Sequence, residues 1–61
     1  MKNSIDLAEA LNIFDALDSA LGRQRPRLAA RRTLMFLYYG IDYMKTNYVE
    51  DAVIIEKAKD K

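Results

Sequence analysis

Five arginines crowd into ten residues: Arg23, Arg25, Arg27, Arg31 and Arg32 occupy a segment with no acidic residue and a local charge of +5. A guanidinium presents a planar fork of donors that matches phosphate or carboxylate oxygens. The chemistry this cluster suggests is recognition of an anion, carried either by a protein or by nucleic acid. Four tyrosines follow it, Tyr38, Tyr39, Tyr43 and Tyr48. On a helix turning about 100° per residue, Tyr39 and Tyr43 lie within about 40° of each other, with Arg32 close to the same line. Arg and Tyr combine contact area with directional polar groups and are enriched at binding hot spots. Arg27, Arg31, Arg32, Tyr39 and Tyr43 are therefore the candidate partner-binding residues. The ordinary alternative for the tyrosines is a place at the rim of a small core, ring packed and hydroxyl in water.

Carboxylate pairs offer the one route to catalysis. Asp15 with Asp18, and Glu50 with Asp51, could exchange protons with a substrate only inside a cleft that perturbs their pKa values. A chain of 61 residues leaves little room for such a cleft, so these pairs read as solvated or ion-paired surface and no enzymatic activity is expected. The sequence has no Cys and no His. That removes disulfides, thiolate nucleophiles, cysteine-based zinc sites and any Ser-His-Asp constellation, and leaves only hard oxygen ligands for a metal. No metal site and no cofactor is expected.

The elements that must carry these residues read as helices throughout. Glycine and proline total three residues, and Gly22 and Pro26 mark the clearest break. Before it, Asn3 or Ser4 is a candidate cap, Asp6 and Glu9 suit the positive end of a helix, and Leu7, Ala10, Leu11, Phe14, Leu17 and Leu21 share an arc of about 120°. A first helix is predicted over about 4–21, stopped by Gly22. Pro26 suits the first turn of a second helix, predicted over about 26–46. Gly40 falls inside that helix and reads as a site of close backbone packing. A third helix is predicted over about 48–59, with Asn47 and Glu50 as a capping box, Glu50 and Asp51 in its first turn and Lys57, Lys59 and Lys61 at its end. Val49, Val53, Ile54 and Ile55 argue for a strand instead, and an unbroken helix from Pro26 to about Lys59 is the other alternative. The expected fold is one all-α domain: a helical hairpin with a short third helix or C-terminal helical extension.

Charge is segregated along the chain. Residues 4–21 carry −4, residues 23–32 carry +5, and the total is only +1. Asp18 near the negative end of the first helix, and Arg27 and Arg31 near the positive end of the second, oppose the helix dipole by a few tenths of a kcal/mol each. A hairpin that sets Asp15 and Asp18 beside Arg27 and Arg31 would offset that cost, and an external anion would do the same. Nucleic-acid binding through Arg23, Arg25, Arg27, Arg31 and Arg32 is the alternative function, with little support from a near-neutral chain lacking an extended basic face.

Leu34, Met35, Phe36, Leu37, Tyr38 and Tyr39 are consecutive and point all round a helix, which then needs cover on every side. A chain this short gains only about 3–5 kcal/mol from a single core. Self-association is the expected supplement, as a homodimeric helical bundle with Leu34, Met35, Phe36, Leu37 and Tyr38 at its centre. The longest uncharged stretch, Thr33 to Ile41, is nine residues, well short of the roughly 20 that span a bilayer. Without a secretory pattern at the N-terminus, a cytoplasmic location is expected. The expected function is a small non-enzymatic protein-interaction module that regulates or inhibits a larger protein. A purely structural self-assembling subunit is a further alternative.

Overall fold

Asp6 begins the first helix: its Oδ1 accepts the backbone N–H of Ala8 at 2.9 Å and its carbonyl accepts that of Ala10 at 3.0 Å, meeting the need of the first turn for acceptors. A computed structural model describes residues 6–59, so Asn3, Ser4 and Lys61 lie outside the described residues. Helix α1 runs Leu7–Ala20, α2 Pro26–Tyr39, α3 Ile41–Asn47 and α4 Val49–Lys59. Among the described residues there is no strand, which decides the β-branched segment at 53–55 in favour of helix.

The end of α1 is set by two residues in the left-handed region, Gly22 at φ 69° and Arg23 at φ 57°. The N–H of Gly22 donates to the Ser19 carbonyl and that of Arg23 to the Asp18 carbonyl, both at 2.9 Å. This is the Schellman arrangement, which satisfies carbonyls that the helix leaves open. Helix α2 then starts at Pro26, as its fixed φ allows.

Two expectations about the second half are corrected. The second helix does not continue to residue 46; it stops at Gly40, whose φ of 94° and ψ of 173° fall in a region essentially reserved for glycine. Gly40 closes α2 by donating to the Phe36 carbonyl at 2.8 Å and opens α3 by accepting from the Met44 N–H at 3.4 Å. Nor is Gly40 a packing contact: a Cβ placed there would meet nothing within 4 Å. Its role is conformational freedom. The unbroken helix from Pro26 to Lys59 is likewise excluded, because Tyr48, extended at φ −142°, separates α3 from α4. Asn47 does not cap α4. It is the last residue of α3, and its Nδ2 donates back to the Tyr43 carbonyl at 3.0 Å.

The helices close a ring of contacts. α1 packs on α2 and α4, and α3 packs on α2 and α4. The core inside holds Ile13, Leu17, Ala29, Phe36, Met44, Ala52, Ile55 and Ala58, with the Thr33 hydroxyl satisfied by the Ala29 carbonyl at 2.8 Å. On α1 the buried stripe overlaps the expected one in part, with Leu17 buried and Phe14 and Leu21 packed against the core, but is rotated from it at the N-terminal end. Ile13 is fully buried whereas Leu7 and Leu11 are 71% and 58% exposed, because α1 must face two neighbours at once.

Candidate functional site: the outward face of α2

Ala29, Thr33 and Phe36 are buried in α2, and they define the side that the fold consumes. Arg27, Arg31, Leu34 and Tyr38 sit about 160° round the helix from that stripe. Leu34 is 60% exposed and Tyr38 63%. Together with Ala30, Met35 and Tyr39 these residues line an open groove of about 640 Å³ formed by α2 alone. The groove is apolar along most of its length and basic at the end near the α1–α2 turn.

The two exposed arginines of this face have no ion-pair partner among the described residues. Of the two ways to offset the dipole cost, pairing of Asp15 and Asp18 with Arg27 and Arg31 across the hairpin does not form: Arg23 takes both carboxylates, its Nη1 lying 3.1 Å from Asp15 Oδ1 and 3.2 Å from Asp18 Oδ2. The Schellman turn explains the choice. It returns the chain so that Arg23 stands beside Asp18, whereas Arg27 and Arg31 have already rotated outward on α2. The acidic residue at the negative end of α1 is thereby compensated within its own turn.

Arg32, expected on the partner-binding surface, is instead half-buried in the fold. Its Nε donates to Asp51 Oδ2 at 3.0 Å, its Nη1 to the Met35 sulfur at 3.6 Å, and its guanidinium lies 4.1 Å from the centre of the Tyr48 ring. A cation over an aromatic face with a carboxylate at its edge is a fully engaged group. Arg32 joins α2 to α4 and to the residue between α3 and α4.

The tyrosines form a continuous run. Tyr38 and Tyr39 meet edge to face at 4.7 Å, Tyr39 stacks on Tyr43 at 4.4 Å, and Tyr43 lies 6.3 Å from Tyr48. Tyr39 and Tyr43 thus share a surface as expected, although across the break at Gly40 and not along one helix. Tyr43 is half-buried against the core, and Tyr39 is 54% exposed. Of the five candidate partner-binding residues, Arg27, Arg31 and Tyr39 line the open groove, while Arg32 and Tyr43 support it from behind. Of the residues expected to self-associate, Leu34 and Tyr38 face outward and Met35 flanks the groove. Phe36 faces inward and is only 8% exposed, and Leu37 is half-buried against the core.

Among the described residues no group of three or more His, Cys, Asp or Glu side chains is placed to hold a metal ion. No helix among them is long and apolar enough to cross a membrane. The chain matches no protein-family model, no curated protein and no solved structure.

Proposed function

We propose that this chain is a small non-enzymatic interaction module, acting in the cytoplasm, that regulates or blocks a larger protein by laying the outward face of α2 against it. The observation that carries the reading is the juxtaposition of Arg27 and Arg31, unpaired among the described residues, with the exposed Leu34 and Tyr38 on one stripe. An exposed apolar stripe with a cationic end fits a surface that is apolar along its length and acidic at one end, the helix-in-groove mode of recognition. The nucleic-acid alternative has less to draw on. Arg23 and Arg32 are already engaged with internal carboxylates, and the apolar part of the stripe has no use against a phosphate backbone.

The test is capture from nuclease-treated host lysate on immobilised wild-type chain, compared with Arg31→Glu/Tyr38→Ala and with the off-face control Lys57→Glu. A stoichiometric protein retained by wild type and control and lost by the face variant supports the reading. Retention by all three, or by none, overturns it. A parallel titration with nonspecific duplex DNA and RNA at low and moderate salt addresses the alternative, since phosphate contacts give a steep loss of affinity with salt.

A further inference from the structure

Six of the seven residues lining the outward groove of α2 interchange when the helix is reversed, Tyr39 alone falling opposite a residue outside the lining, Pro26. Arg27 and Tyr38, Ala30 and Met35, and Arg31 and Leu34 are each equidistant from the midpoint between Arg32 and Thr33. A second α2 laid antiparallel across the first, with a two-fold axis through that midpoint, sets Arg27 of each copy against Tyr38 of the other and Arg31 against Leu34. The successive steps from Arg27 to Arg31, Leu34 and Tyr38 are also those of a helix–helix seam, alternating between four and three residues.

We propose that, in the absence of a foreign partner, this face is covered by a second copy of the chain in that antiparallel register. The proposal rests on the reading of the α2 face as a docking surface and not on the identity of any other protein. Two-fold dimers require a patch complementary to itself, and the reversal symmetry supplies one. Electrostatics then selects the direction. α2 has no acidic residue in its first turn and no basic residue in its last, so neither end of its dipole is compensated from within. Antiparallel pairing carries each Arg27 to the C-terminal turn of the other α2, where carbonyls and the Tyr38 ring both favour a cation. Parallel pairing would set Arg27 on Arg27, whereas the antiparallel register holds the two Arg27 residues about 16 Å apart along the seam and leaves only the two Arg31 residues near the axis. The seam from Arg27 to Tyr38 is about 16 Å long, which places the interface at the small end of specific contacts and makes the dimer reversible. A larger protein would compete with the second copy for the same stripe.

Sedimentation equilibrium over low to high micromolar concentration, on the full chain, tests this. Wild type should pass from monomer to dimer, and Leu34→Arg, which gathers four guanidinium groups at the axis, should remain monomeric. Arg27→Glu should weaken dimerisation by roughly a hundred-fold, because the two-fold axis repeats the lost cation–π and dipole contact at both ends of the seam. Arg27→Glu/Tyr38→Arg should restore it to within a few-fold. Positions 27 and 38 are about 16 Å apart within one helix, so that rescue can only act between copies in the antiparallel register. All substituted positions are exposed, and circular dichroism checks that each variant is folded.

Wild type that stays monomeric at high micromolar concentration overturns the proposal, as does a dimer indifferent to Leu34→Arg. Failure of the double variant to recover overturns the register. A monomeric chain that still captures a host protein through α2 would remove self-pairing and leave the docking function standing; a dimer that captures nothing would do the reverse.

Discussion

Arg32 shows how the same residue type can serve recognition at one position and structure at the next. Arg31 and Arg32 are neighbours in sequence, but the turn of about 100° between them sends one to solvent and the other into the seam with Asp51 and Tyr48. Both side chains of the Arg32–Asp51 pair are about three-quarters buried, at 22% and 26% exposure, so the pair is less screened than a surface ion pair. Removing Arg32 leaves Asp51 without its partner and Tyr48 without its cation. Arg32→Ala should therefore destabilise the fold by roughly 1–2 kcal/mol. A double-mutant cycle with Asp51→Ala, followed by urea unfolding, should give a coupling energy of about 0.5–1 kcal/mol; no coupling would mean the contact contributes nothing. By contrast, Arg23 and Asp15 are more than half exposed and their ion pair contributes little, whereas the Asp18 side chain is only 13% exposed and its bond to Arg23 is the better shielded of the two. The arginine cluster was legible in the sequence as a group that needed anions. Which arginines find them internally was not, because that depends on the rotation of each residue about α2 and on the turn that precedes it.

At the level of elements, Gly40 carries the most consequence. The sequence around it is helix-compatible on both sides, and a glycine inside a helical pattern costs only about 1 kcal/mol, so composition favoured continuity. What ends α2 is the tertiary gain from folding α3 back onto α2 and α4, for which the chain must reverse within one residue. Only glycine adopts the backbone angles found there without strain. Gly40→Ala meets no steric obstacle, so its cost is purely conformational, roughly 1–3 kcal/mol. For a domain of this length that is a drop in melting temperature of about 4–8 °C per kcal/mol, readable by thermal circular dichroism. An unchanged or raised melting temperature would indicate that α2 and α3 can run on as one helix. The sequence leaves open whether the chain breaks at Asn47 or runs on, because a capping residue and a residue that completes the preceding helix carry the same polar signature; the structure puts the break at Tyr48. The charges of α4, acidic at its start and basic at its end, were sufficient for its assignment as a helix despite its β-branched side chains.

For the whole molecule, the balance is a small core against a large exposed remainder. Ile13, Leu17, Met44 and Ile55 are the largest fully buried side chains, one or more from α1, α3 and α4, so losing any of them loosens the ring of helices as a unit. Ile55→Ala should cost about 2–5 kcal/mol, comparable to the roughly 3–5 kcal/mol that a single core of this size provides. The expected result is a chain largely unfolded at room temperature by far-UV circular dichroism; a cooperative melt close to wild type would show that the core is stronger than its size implies. The amino-acid sequence by itself determined that this protein is predominantly helical, that its first turn falls at Gly22 to Pro26, and that Cys- and His-based chemistry is absent, because these follow from composition, capping and local periodicity. Only the tertiary structure decided that the described residues form four helices and not three, that Phe36 is spent on the core while Leu34 and Tyr38 are left outside, and that Arg23 and Arg32 take internal carboxylates while Arg25, Arg27 and Arg31 have no ion-pair partner among the described residues. A helix apolar on several sides has no preferred inward face until its neighbours take their positions, and those positions are set by contacts between residues far apart in the chain.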